Sequence, residues 1–158
     1  MTLSSPKPCL WFDGQAEIAA AFYISVLGGE FGAISRYQDG APFPVGTALM
    51  VEFSLRGRDF QALNGGPTYS LSPAFSLSVT CEDQAELDRT WDALLADGGR
   101  ESQCGWLTDR FGLSWQIVPA GMNALFAGPD AAGVARAMAA MMGMVKLDMA
   151  ALERAYRG

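Results

Sequence analysis

Few side chains in this 158-residue chain could carry out chemistry, because the sequence contains no histidine. Histidine is the commonest metal ligand and the usual acid–base residue near neutral pH. Its absence excludes a Ser-His-Asp or Cys-His catalytic site and a zinc site built on two histidines. The three cysteines, Cys9, Cys81 and Cys104, are far apart and lack a CxxC spacing, so we expect free thiols rather than a disulfide framework or a cysteine zinc site.

Two residues remain as candidates for catalysis. Alternation along residues 48–55 turns Glu52 toward the cavity side of a predicted strand. In an apolar cavity, burial would raise the pKa of Glu52 and suit it to act as a general base; the alternatives are a pair with Arg36 or exposure at a sheet edge. Cys104 is a candidate nucleophile if a cation lowers its pKa, and otherwise a buried structural thiol.

A repeated segment indicates which elements position these residues. Gln15-Ala16-Glu17-Ile18 reappears as Gln84-Ala85-Glu86-Leu87, and each copy opens a predicted helix that ends at a glycine pair. Helical spacing of apolar residues predicts the buried face of each helix. In the first helix these residues are Ile18, Ala21, Phe22 and Val26, and in the second they are Leu87, Trp91, Leu94 and Leu95.

Strand candidates surround both helices. They cover residues 8–12, 31–37, 48–55 and 59–63 in the first half, and 74–81, 100–104, 106–107 and 113–118 in the second. Arg56-Gly57 predicts a tight hairpin. The order strand, helix and three strands therefore occurs twice, which predicts an α+β fold of paired βαβββ modules over residues 1–70 and 71–119.

The last part of the chain, residues 120–158, is rich in alanine and methionine and predicts a helical tail packed on the same domain. Helices are predicted over 120–126, 130–143 and 147–156, with Asp130 and Asp148 as N-caps of the last two. One helical stripe carries Val134, Met138, Met141 and Val145. We predict that it packs against the sheet or a partner subunit; an adaptable ligand-binding surface is the alternative.

Charge and hydropathy limit the partners. The chain carries 11 basic and 17 acidic residues, a formal net charge of -6, and no basic stretch, so we expect no nucleic-acid partner. No apolar run approaches the roughly 20 residues that cross a bilayer. The first residues also lack the apolar core of a signal peptide. We therefore expect a cytoplasmic protein with no membrane partner.

Several stretches carry a resemblance to a known family: residues 10–14 with Phe22-Tyr23, 62–67, 101–107 and 112–116. They resemble the PhnB-like branch of the vicinal-oxygen-chelate (glyoxalase/bleomycin-resistance) superfamily, often labelled the 3-demethylubiquinone-9 3-methyltransferase domain. The resemblance implies paired βαβββ modules, a pocket inside a curved sheet and a homodimer. The sequence lacks the Gly-rich strand-to-helix loop that a methyltransferase using S-adenosylmethionine would usually show.

The resemblance also implies where a metal would bind, since metal-dependent relatives take ligands from the first and last strands of each half. The corresponding positions here are Lys7 or Cys9, Gln61, Ala74 or Ser76, and Gln116. None of these is a histidine or a carboxylate, so we predict no metal and no other cofactor.

Without a metal, Gln61 and Gln116 are predicted to face each other across the pocket and to hydrogen-bond a ligand, with Ser76 nearby. The alternative is that they bond only one another or water. Trp11 and Trp106 are predicted to supply flat pocket walls, although aromatic residues more often fill a core. Trp115 is expected on the helix side if Gln116 points inward.

The function predicted from the sequence is metal-free binding of a small organic molecule by a homodimer. One alternative is an enzyme that acts on a carbonyl-bearing or quinone-like substrate through Glu52 or Cys104. Another is an interaction dimer with a vestigial pocket, which would bind a protein through its methionine-rich tail.

Overall fold

A computed structural model describes residues 4–158. The chain forms two compact units, of which the first ends at Leu71 and the second begins at Ser72. The elements of the first unit are β1 (Cys9–Phe12), α1 (Ala16–Leu27), β2 (Gly29–Arg36), β3 (Ala48–Leu55) and β4 (Arg58–Asn64). Those of the second unit are β5 (Ser76–Cys81), α2 (Gln84–Leu95), β6 (Arg100–Glu101), β7 (Trp106–Thr108), β8 (Ser114–Pro119), α3 (Met122–Phe126), α4 (Ala131–Met142) and α5 (Met149–Arg157).

The two sheets have the same topology, which confirms the predicted α+β fold of paired βαβββ modules. Their strand orders are β1-β4-β3-β2 and β5-β8-β7-β6. In each sheet the first strand of the module lies at one edge and pairs in parallel with the last strand, and the remaining pairs are antiparallel. The predicted hairpin between β3 and β4 is also confirmed, since Arg56 and Gly57 have φ values of 51° and 81°.

The core of the first unit lies between α1 and one face of its sheet. The buried residues on that sheet face include Leu10, Val51, Phe53, Phe60 and Ala62. The helix contributes Ala16, Ala19, Ala20 and Tyr23. The predicted stripe was wrong, because Ile18 is 62% exposed. Nearly all of α1 is apolar, so periodicity does not select a face, and the small alanines let the helix approach the sheet closely.

The second unit is packed in the same way and carries the tail. Leu87, Trp91 and Leu94 are buried as predicted. The predicted N-caps are confirmed, because the carboxylates of Asp130 and Asp148 accept hydrogen bonds from the backbone at the starts of α4 and α5.

Backbone hydrogen bonds attach the segment between α4 and α5 to the β6–β7 loop. Cys104 N–H donates to Met144 O and Gly105 N–H donates to Val145 O, both at 2.8 Å. The methionine stripe does not pack against the sheet, since Met138 is 41% and Val145 is 40% exposed. None of the helices within residues 4–158 is both long and apolar enough to cross a membrane.

Asn64, at the end of β4, joins three segments of the first unit. It is fully buried, its Oδ1 accepts from Ala16 N–H at 2.9 Å, and its Nδ2 donates to Ala48 O at 2.8 Å. Gln15, the residue before α1, makes no side-chain cap. Asn64 therefore satisfies one of the free N–H groups at the start of α1 from a different element.

Asn64→Ala is expected to lower the free energy of unfolding by about 3 kcal/mol, because two buried backbone groups lose their partners. Urea denaturation measures the change. Asn123→Ala is the matched control: this exposed asparagine in α3 makes no side-chain hydrogen bond among the described residues, and its loss should change stability by less than about 0.5 kcal/mol. Equal effects of the two substitutions would contradict the role of Asn64.

Candidate functional site

Each sheet has an inner face, defined here as the face opposite its helix. On the first sheet, Cys9 lies opposite Gln61, and Gln61 lies opposite Glu52 on the next strand. Gln61 and Glu52 keep partial exposure, whereas their helix-side neighbours in sequence, such as Phe60 and Phe53, are only 4% and 3% exposed. The candidate site residues of the first unit therefore lie side by side on a surface that is not part of the core.

Glu52 is held by polar neighbours rather than by an apolar pocket. Gln61 Nε2 donates to Glu52 Oε1 at 3.3 Å, and Lys7 Nζ lies 3.8 Å from the same oxygen. The side chain of Glu52 is 38% exposed. Arg36 is not its partner, since the guanidinium pairs with Glu17 at 2.8 Å and lowers the pKa of that carboxyl.

A shallow groove opens at the charged end of this inner face, with a volume of about 210 Å³. Lys7 Nζ also lies 3.2 Å from Asp59. The side chains along the groove include Glu30, Glu52 and Ser54. The groove thus carries more negative than positive charge, with Lys7 placed between two carboxylates.

The other end of the first inner face is apolar. Leu63 lies opposite Trp11 on one side and Met50 on the other. Trp11 Nε1 donates to Gly66 O at 2.8 Å, and Tyr69 packs edge-on at 5.1 Å between ring centroids. The Trp11 ring lies directly on Gly65, where an added Cβ would overlap it. Trp11 is thus a fixed, half-buried wall beside the polar residues.

The inner face of the second sheet carries the other predicted ligand-binding residues. Gln116 Nε2 donates to Ser76 Oγ at 2.9 Å. In register, Gln116 lies opposite Trp106 on one side and Ser78 on the other. Trp115 is on the helix side as predicted, buried, with Nε1 donating to Asp109 Oδ2 at 2.8 Å.

Cys104 belongs to the β6–β7 loop of the second unit and contacts the tail. Its thiol donates to Met141 O at 3.6 Å and lies 3.8 Å from Met142 Sδ. The residue has a φ of 59° and is partly buried. Its contacts are therefore those of a thiol packed on the tail helix, while Glu52 lies on the sheet of the other unit.

The residues at the positions implied for a metal do not fit a divalent cation. Register places Cys9 opposite Gln61 and Ser78 opposite Gln116, while Ser76 is two residues along the same face. Desolvation raises the pKa of the Cys9 thiol, which disfavours the thiolate that a metal requires. Amides and a hydroxyl are weak neutral ligands. Within residues 4–158, no group of three or more histidine, cysteine, aspartate or glutamate side chains could hold a metal ion.

Sequence reasoning missed the surroundings of Glu52. Period-two alternation along β4 would have placed Asp59 on the same face as Gln61. The contact of Asp59 with Lys7, however, depends on how the chain before β1 lies beside β4, which the sequence does not give. Likewise, Ser78 was overlooked because the position of β5 against β8 was unknown from the sequence.

The repeated βαβββ modules and the open inner faces are those of the glyoxalase/bleomycin-resistance fold. Residues 4–118 match the family model described as 3-demethylubiquinone-9 3-methyltransferase. The chain is 33% identical to a putative 3-demethylubiquinone-9 3-methyltransferase, the PhnB protein of Bacillus cereus, with a TM-score of 0.68 over 74% of this chain and 100% of that one. The chain therefore belongs to this PhnB-like family, which confirms the resemblance found in the sequence.

More distant structures share the fold alone. Protein PA1353 of Pseudomonas aeruginosa is 24% identical, with a TM-score of 0.60 over 74% of this chain and 98% of that one. The fosfomycin resistance protein FosX of Mesorhizobium loti is 12% identical, with a TM-score of 0.56 over 81% and 100% of the two chains. A comparison with curated proteins gave no match.

Gly65→Ala is expected to displace the Trp11 ring and to lower the free energy of unfolding by about 1–3 kcal/mol, because the new methyl group overlaps the indole. Acrylamide quenching, compared with Trp11→Phe, reports the added exposure of Trp11. Gly143→Ala is the matched control, since its nearest contact is 3.5 Å away and its φ is -90°. Unchanged quenching in Gly65→Ala would show that Trp11 does not depend on this glycine.

Proposed function

We propose that this protein binds a small organic molecule on its inner sheet faces without a metal ion. The observation that carries the proposal is the contrast between the two faces of each sheet. The helix side is a closed apolar core, whereas the inner side keeps partial exposure and combines hydrogen-bonding groups with tryptophan. Ligand sites typically have this composition: apolar walls with a few placed polar groups.

The first inner face supports a ligand with an apolar and a polar part. Trp11, Leu63 and Met50 form an apolar row, and the next row holds Gln61 and Glu52. Gln61 uses one N–H on Glu52, which leaves its amide oxygen and second N–H for a ligand. A molecule across both rows would gain apolar burial and fixed hydrogen bonds together.

Metal-free binding is supported by the donor set at the implied ligand positions. A thiol whose pKa is raised by burial, two amides and a hydroxyl hydrogen-bond polar organic groups better than they coordinate a divalent ion. The proposed role is accordingly recognition by hydrogen bonds and packing, with no step routed through a metal.

An enzyme that uses Glu52 is the second candidate function. The observation in its favour is that Gln61 and Lys7 hold the Glu52 carboxylate at the groove, where it could accept a proton from a carbonyl-bearing or quinone-like substrate. Cys104, the other catalytic candidate, has less support because its thiol contacts the tail.

We retain the homodimer as part of the proposal. The support is the exposed apolar surface of the tail, where Met138, Met142 and Val145 are 41%, 57% and 40% exposed. Exposed apolar residues grouped in this way often mark an interface between proteins. The same surface would serve the alternative role as an interaction module.

Native mass spectrometry of the purified protein, before and after addition of divalent metals, tests metal content, subunit number and bound ligand together. The expected result is a metal-free dimer that carries a co-purified small mass. One tightly bound metal per chain would contradict metal-free binding. A monomer at micromolar concentration would contradict the proposed homodimer.

Gln61→Ala is expected to weaken binding of that co-purified molecule about tenfold, the effect of losing one or two hydrogen bonds in a partly closed site. Isothermal titration with the identified molecule measures the change. Gln38→Ala is the matched control, because Gln38 is exposed and, among residues 4–158, the one hydrogen bond of its side-chain amide is to Arg36 O at 3.2 Å. Equal affinities of the two variants would place the ligand elsewhere.

Glu52→Gln separates the two candidate functions. If Glu52 is a general base, any turnover found in a screen of carbonyl and quinone compounds should fall at least about a hundredfold, while ligand affinity changes little. Asp59→Asn, which alters the other carboxylate beside Lys7, is the control and should retain turnover. Full activity of Glu52→Gln would end the enzyme hypothesis for this residue.

A further inference from the structure

One buried hydroxyl in the second unit has no structural role that its surroundings explain. Ser114, the first residue of β8, is 1% exposed. Among the described residues its Oγ has no hydrogen-bond partner. Burying a hydroxyl without a partner costs stability, so a group that hydrogen-bonds to Ser114 would be bound favourably.

Ser114 lies in a line of polar residues that crosses all four strands of the second sheet. In register it is opposite Ser76 of β5 on one side and Thr108 of β7 on the other, and Thr108 is opposite Arg100 of β6. Trp115 is on the helix side, so Ser114 and its register partners are on the inner face. We call this line, which consists of the three hydroxyl residues Ser76, Ser114 and Thr108 and the arginine Arg100 at its end, the hydroxyl row.

The hydroxyl row offers several hydrogen-bond donors to a ligand. Ser76 Oγ accepts from Gln116 Nε2 at 2.9 Å, so the Ser76 hydroxyl hydrogen can point away from that amide. Ser114 and Thr108 each add a hydroxyl, and Arg100 adds an exposed cation with several N–H groups.

The second inner face also lacks acidic side chains along its strands, in contrast to the first. Its strand residues are Arg100, Trp106, Thr108, Ser76, Ser78, Thr80, Ser114, Gln116 and Val118. The first inner face carries Glu30, Glu52 and Asp59 around Lys7. Hydroxyl donors beside a guanidinium, with no carboxylate on the same face of these strands, suit a negatively charged oxygen group; Glu101 of β6 is on the helix side, where it accepts from Trp91 Nε1.

We propose that the hydroxyl row binds the oxyanion of a small organic acid, whose apolar body packs on Trp106. Trp106 lies on β7 two residues from Thr108, and its register partner is Gln116. A planar body there would place its charged group beside the accessible Ser76, Thr108 and Arg100, and the bond to Ser114 forms when the side chains that cover its hydroxyl move aside. This inference rests on the proposed function and names the chemical class of its ligand.

The test is an NMR titration of isotope-labelled protein with benzoate, at constant ionic strength, with benzyl alcohol as the uncharged counterpart. Benzoate is expected to cause saturable shifts confined to the hydroxyl row, Trp106 and Gln116, and benzyl alcohol is not. Ser114→Ala and Arg100→Gln should each weaken benzoate about tenfold, as expected for a lost hydrogen bond to a charged group.

Two controls and a second measurement make the result decisive. Ser70→Ala and Arg89→Gln remove an exposed serine and an exposed helix arginine and should leave benzoate binding unchanged. Without ligand, Ser114→Ala should melt at or above the temperature of the wild type, because its buried hydroxyl has no partner. A lower melting temperature would reveal a structural bond and overturn the inference.

No saturable benzoate shift, equal binding of benzyl alcohol, or full binding by both row variants would also overturn it. None of these outcomes decides whether a small molecule binds at all, because native mass spectrometry detects a co-purified ligand independently of benzoate binding. Failure of the oxyanion inference is thus distinguishable from failure of the proposed function.

Discussion

The first unit depends on the side chain of one buried asparagine. Asn64 ends β4, caps α1 through Ala16 N–H and reaches Ala48 O at the start of β3. Its own carbonyl accepts from Tyr37 Oη at 2.6 Å. These segments are separated along the chain, and a single amide ties the start of α1 to the ends of two strands. This link holds α1 against the apolar side of the sheet, and the opposite side carries the polar residues.

Two sheets of the same topology carry different chemistry on their inner faces. The first has carboxylates around Lys7 and an apolar row at Trp11, and the second has hydroxyls, an amide and Arg100. The helix sides are both plain apolar cores. The repeated module thus supplies a common scaffold, while the inner faces carry different side chains, and such differences let one fold support unrelated functions.

Family membership and site chemistry make different statements about this protein. The family description names a methyltransferase, and the shared fold extends to a fosfomycin resistance protein at 12% identity. Neither name specifies the chemistry of the inner faces of this chain. The side chains describe that chemistry more directly: Cys9, whose pKa is raised by burial, two glutamines and the serines of β5 and β8 are hydrogen-bonding groups and poor metal ligands.

The sequence by itself determined the element order, the repeat, the two N-caps at Asp130 and Asp148, and the opposite orientations of Trp115 and Gln116. These features are local, since period, caps and turn residues act within a few positions. Only the tertiary structure decided which face of α1 is buried, because a helix that is apolar all round carries no periodic preference. It also decided that Met138 is exposed, that Lys7 lies beside Glu52, and that Ser114 is buried without a partner. Neighbours across strands depend on register, and register is set by the packing of the whole unit rather than by any one segment.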